Sequence, residues 1–108
     1  MMLIFNLKKE WFEKIKSGKK THEYRIVKPY WQKRIDNYLN SYNVDEENDT
    51  DSDFVIYDDI PIKFVLGYTK NFLIANIKSV HIVNGKNTDL AIDKDVYDIE
   101  FELMEISE

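Results

Sequence analysis

The tightest constraint on the fold lies near the C-terminus, in the stretch "VYDIEFELMEI". Tyr97, Ile99, Phe101 and Leu103 alternate there with Asp98, Glu100 and Glu102. A period of two puts one set on each face of a strand, so the segment predicts a half-buried β-strand. One such strand is not stable alone; it needs strand neighbours and an apolar layer against its inner face.

The rest of the chain supplies both. "MLIFNL" is a short apolar run and reads as a buried strand. In "KEWFEKIKSG", Trp11, Phe12 and Ile15 share one helical face, and Gly18 stands where a helix-terminating glycine belongs. "KTHEYRIV" alternates again, with Thr21, Glu23, Arg25 and Val27 on one face and His22, Tyr24 and Ile26 on the other. Pro29 opens a second helix, in which Trp31, Ile35, Tyr38 and Leu39 recur at helical spacing.

Downstream, "FVIYD" and "IKFVL" read as two strands around Pro61, the second closed by Gly67. "FLIANIKSVHIV" predicts a bent strand with a bulge near Lys78–Ser79, where the alternation slips. "NGK" marks a turn, and "NTDLAID" a short helical turn. The expectation is an α+β fold: residues 1–108 form a single domain, a small curved sheet or barrel of five or six strands with two N-terminal helices at its edge.

Between helix and strand lies the acidic segment 41–53, "SYNVDEENDTDSD", read as a mobile loop or insertion. Its alternating Asp45, Glu47, Asp49, Asp51 and Asp53 invite a calcium reading, but the central glycine and spaced final glutamate of an EF-hand are missing.

Charge is unevenly spread. Residues 1–38 hold ten Lys or Arg against four acids, and the remainder five against sixteen, for a net charge of −5. A basic third on an acidic chain suits a protein with one anion-facing surface, and excludes a coat protein that is basic all over. With no cysteine, disulfides and thiolate metal sites are excluded, and two histidines without clustered carboxylates make no metal site. The N-terminal apolar run is too short for a signal sequence, and nothing approaches the ~20 apolar residues of a membrane span, so the expectation is a cytoplasmic protein without membrane contact.

The order of elements, with G-x-K-T-x-E-x-R at Gly18, Lys20, Thr21, Glu23 and Arg25, resembles the ASCH domain, a branch of the PUA-like superfamily. "IFNLKKEWF", the Gly67–Tyr68 strand end and the last strand add to the similarity, which covers nearly the whole chain except 41–53. The resemblance implies a small PUA-like β-barrel and a cleft floored by Lys20, Glu23 and Arg25 that binds RNA, a nucleotide or a modified nucleoside, without a cofactor. Some members hydrolyse the amide of acetylated cytidine with a lysine, a threonine and a glutamate. Lys20 matches that lysine, Glu23 stands where the catalytic threonine would be, and the glutamate's segment aligns poorly with 84–95, where Asp89 and Asp93 are the nearest acids.

Candidate ligand contacts are therefore Lys20, Thr21, Glu23, Arg25, Gly67 and Tyr68, with Lys8, Lys9 and Lys28 as a phosphate rim that Lys33 and Arg34 extend. Arg25 can fork onto phosphate or simply pair with Glu23 on its own strand face. Tyr68 is the foremost base-stacking candidate, while Tyr24 and Trp31 read as core. Two alternatives stand beside binding: a hydrolase of a modified nucleoside or of RNA, with Lys20 and Glu23 as acid–base pair, and a protein-interaction domain using the acidic segment. His22 and His81 read as packing or capping residues.

Overall fold

The computed structural model describes residues 2–42 and 55–107, without the side chains of 55–59. Most of the acidic segment, and with it the calcium and protein-interaction readings, lies outside the described residues. The elements run β1 (Leu3–Leu7), α1 (Lys9–Lys16), β2 (His22–Ile26), α2 (Pro29–Asn40), β3 (Val55–Leu66), β4 (Phe72–Asn84), a 3-10 turn at Gly85–Asn87, and β5 (Asp95–Ile106).

The strands form one curled, half-barrel sheet in the order β1-β3-β4-β5-β2, an α+β architecture with two helices. Among the described residues only the β1–β3 pairing is parallel. β1 buries Leu3, Phe5 and Leu7 and exposes Ile4 and Asn6, the strict alternation of a strand covered on one face. Phe5, Ile62, Phe64, Leu73, Ile77 and Ile99 are essentially inaccessible. Phe12 and Ile15 of α1, and Ile35, Tyr38 and Leu39 of α2, complete this core. Each such side chain contributes about 1.5–3 kcal/mol by burial.

α1 ends as its glycine demands: Gly18 takes φ +82°, a conformation that a Cβ would penalise. The bulge in β4 also falls where the alternation slips, since the register against β5 jumps from Ile77 to Ser79 and skips Lys78.

Three local expectations need correction. The two strands expected around Pro61 are one, β3, with a register shift between Ile56 and Ile60. Pro61 is tolerated because the parallel pairing with β1 begins only at Ile62, leaving β4 as its one strand neighbour. The helical turn expected within "NTDLAID" instead sits earlier, at Gly85–Asn87, where the Asn84 side chain accepts from the Lys86 N–H at 2.8 Å. In β5, Asp98 breaks the alternation: it is buried beneath two histidine side chains.

The segment after β4 closes on itself through Gly85 N–H to Lys94 O (2.8 Å) and Ile92 N–H to Gly85 O (3.2 Å). A Cβ on Gly85 would stand 2.8 Å from Ile92 O and 2.9 Å from Val96 Cγ1, so backbone and strand approach too closely for any other residue.

Candidate ligand cleft

β1 and β2 are the two ends of the sheet order, and the curl brings them to face each other across a cleft of about 340 Å³. β1 contributes Asn6 and Leu7, α1 Trp11, β2 Glu23 to Ile26, and α2 Trp31. Lys20 enters from the α1–β2 connection, Lys8 and Lys28 stand at the rim, and Asp89 and Leu90 arrive from the loop before β5. Among the described residues, each edge strand lacks a strand neighbour on the cleft side.

Strict alternation would put Lys20 opposite Glu23. β2, however, begins at His22, so the strand's period does not bind Lys20, whose N–H instead donates to Lys14 O at 3.0 Å at the end of α1. Its side chain turns onto the Glu23 face and is buried. Nζ donates to Asp89 Oδ2 and lies 3.5 Å from Glu23 Oε1. It also stands 5.3 Å from the Trp11 ring centre and 5.1 Å from that of Tyr24, within cation–π range.

Glu23, 5 % exposed, serves two cations. Its Oε2 accepts from Arg25 Nη2 at 2.5 Å while Oε1 faces Lys20. The Arg25 guanidinium stands beside the Phe5–Trp31 ring pair, 5.0 and 4.9 Å from the two ring centres, which are themselves 5.4 Å apart. Its Nε–H is buried and has no hydrogen-bond partner among the described residues. Two cations and two carboxylates thus meet with no net charge, each holding the others in place. Burial pushes the Tyr24 phenol up from its ordinary value, and the negative charges of Asp98, Asp89 and Glu23 push it the same way. Tyr24 is therefore an O–H donor at neutral pH and not a base.

The structure brings Lys20, Glu23 and Arg25 together, has Lys8 and Lys28 in the cleft lining, and places Thr21, Gly67, Tyr68 and Lys9 elsewhere. Thr21 is exposed and does not line the cleft; its carbonyl accepts from Phe101 N–H (3.0 Å), a backbone tie between the start of β2 and β5. Gly67, at φ +52°, donates to Leu7 O at 2.9 Å and pins the β3–β4 turn beside the cleft, while Tyr68 is fully exposed at that turn; neither lines the wall. Lys9, in the first turn of α1, is exposed and away from the lining that Lys8 and Lys28 join.

Tyr24 and Trp31 are not simple core residues, because both line the cleft while half-buried. Trp11, read from its periodicity as core, does the same. Of the two acids in the poorly aligned segment, Asp89 reaches the cleft and Asp93 does not: Asp93 accepts from Asn84 Nδ2 at 2.9 Å and stays on its own loop. No local pattern distinguishes the two in sequence.

His22 and His81 share a sheet face with Tyr24, opposite Glu23 and Arg25, and neither lines the cleft. His22 Nδ1 lies 2.7 Å from Asp98 Oδ1, and His81 Nε2 lies 3.2 Å from Oδ2 of the same carboxylate. Among the described residues no group of His, Asp and Glu side chains is arranged to hold a metal ion. Among the same residues no helix is long and apolar enough to cross a membrane.

Set against models of known protein families, curated proteins and solved structures, the chain gives no match.

Proposed function

We propose that this is an ASCH-type, PUA-like module whose cleft binds the base of an RNA nucleotide, a free nucleotide or a modified nucleoside. The observation carrying this reading is the buried Lys20 ammonium, held between Glu23 and Asp89 against the faces of Trp11 and Tyr24. Because the four charged groups balance, the cleft floor has little pull on a phosphate. It offers instead fixed donors and acceptors beside aromatic faces, which suits the hydrogen-bonding edge of a neutral base. Lys8 and Lys28 at the rim then take the phosphate. The volume lies within the ~300–1,000 Å³ typical of small-molecule sites.

The test is titration with the four ribonucleoside 5′-monophosphates and N4-acetylcytidine, followed by Trp fluorescence or calorimetry. Binding of at least one probe is expected, weakened tenfold or more in Lys20→Ala and in Glu23→Ala. If no probe binds, or both variants bind as the parent does, the cleft reading fails.

A second reading is favoured by the second carboxylate on Lys20. Asp89 or Glu23 would take a proton from water while the resulting hydroxide adds to the acyl carbon of an acetylated base. Lys20 would then donate a proton to the departing nitrogen, giving acetate and the free amine. Acetate release from N4-acetylcytidine above a Lys20→Ala control is the outcome this reading requires.

A further inference from the structure

A second groove of about 680 Å³ runs beside the cleft, between β1 and α2. Met2 and Ile4 line it from the strand, and Tyr30, Lys33, Arg34 and Asn37 from the helix. The two depressions share a wall. Ile4 in the groove and Asn6 in the cleft are exposed on the same strand face, one two-residue repeat apart. Tyr30 in the groove and Trp31 in the cleft are chain neighbours whose rings meet at 88° with centres 5.0 Å apart.

Their electrostatics differ. The cleft floor is neutral because every cation there faces a carboxylate. The groove has Lys33 and Arg34 and, among the described residues that line it, no carboxylate. Tyr30 is 53 % exposed and has the Arg34 guanidinium 4.3 Å from its ring centre, so an aromatic surface and two cationic donors lie together. Stacking surface plus cations that face no carboxylate among the described lining residues is a combination suited to an unpaired nucleotide: the base lies on the ring and the phosphate on the basic side chains.

We propose that the groove holds the nucleotide flanking the one in the cleft, so that the ligand is single-stranded RNA and not a free nucleoside. The proposal rests on the nucleobase reading of the cleft. A duplex does not fit it, because its bases are stacked and paired and cannot be splayed into two adjoining depressions.

The experiment compares a random-sequence ribohexanucleotide with the four ribonucleoside 5′-monophosphates, in the parent protein and in Tyr30→Ala and Arg34→Ala. The hexanucleotide is expected to bind at least tenfold more tightly than any mononucleotide. That ratio should fall fivefold or more in each variant, with thermal midpoints confirming that both remain folded. Its affinity should also drop steeply with salt, less so in Arg34→Ala. A hexanucleotide no tighter than the mononucleotides, or an unchanged ratio in both variants, overturns the proposal while leaving the cleft reading intact. Equal competition by a poly-glutamate peptide also overturns it, marking the groove as a surface for acidic protein. Absence of binding by every probe overturns both readings.

Discussion

Asp89 stands 69 residues beyond Lys20 in the chain, and its Oδ2 accepts the hydrogen bond of the Lys20 ammonium. Glu23 and Arg25, by contrast, pair along a single strand two residues apart. The cleft therefore has a local half, written within β2, and a remote half that depends on how the loop before β5 folds back. The first predictions separate these halves.

Gly85→Ala should weaken the remote half alone. The new Cβ would press on Ile92 O and Val96 Cγ1, and the carbonyl cannot move without reshaping the loop that carries Asp89. A stability loss of about 1–3 kcal/mol is expected from the overpacking. Binding at the cleft should fall by more than that loss implies at temperatures where the variant is fully folded. Chemical denaturation and titration at the same temperature check this; an unaltered affinity would mean that Asp89 keeps its place without the glycine.

Removing the two carboxylates should have unequal costs. Glu23→Ala leaves the half-buried Arg25 guanidinium without its carboxylate and should destabilise by about 3 kcal/mol. Asp89→Asn should cost about 1 kcal/mol or less, since its side chain is 39 % exposed and Lys20 keeps Glu23. Urea midpoints decide it. Equal losses would show that Asp89, and not Glu23, is the principal counter-ion of the cluster.

High pH should unfold the protein through its tyrosines. Burial, as the leading cause, raises the phenols of Tyr24, Tyr38 and Tyr97 above the ordinary value of 10.0. The folded state therefore keeps protons that the unfolded chain gives up first. Their contribution is fully present below pH 10 and is lost as pH rises above it, by up to about 1.4 kcal/mol per pH unit for each phenol. Tyr38 donates to Pro61 O and meets the Tyr42 hydroxyl at 3.1 Å, so Tyr38→Phe should cost about 1 kcal/mol at pH 7. The same variant should flatten the alkaline slope by one proton. Urea midpoints from pH 8 to 11 measure both effects, and an identical slope in Tyr38→Phe would exclude Tyr38 from the transition.

Local periodicity was enough to read the elements whose faces one neighbour settles. The inward set of β5, the apolar stripe of α2, the Gly18 terminus and the Lys78 bulge are all written within a few residues. Where the structure departs, a distant partner intervenes. Asp98 alternates with apolar residues and belongs outside by pattern, yet His22 and His81, from strands on either side, cover it. Trp11, Tyr24 and Trp31 carry the periodicity of core residues and instead line a cleft, because the sheet curls until its ends face each other without pairing. No local pattern encodes that gap, and none could select Asp89 over Asp93.

Pairing order also sets when the protein becomes competent. Nearly every cleft residue belongs to the first 31 positions, yet among the described residues the only strand that hydrogen-bonds β2 is β5, at 95–106. During synthesis residues 1–38, carrying Lys20, Glu23 and Arg25, emerge before β5, and β2 has no ladder to join until β5 follows. A chain released before β5 would hold most of the contact residues without the ladder that seats β2 in the sheet. Competence thus arrives in one step with completion of the sheet, and products that stop short of β5 should not compete for ligand with chains that carry it.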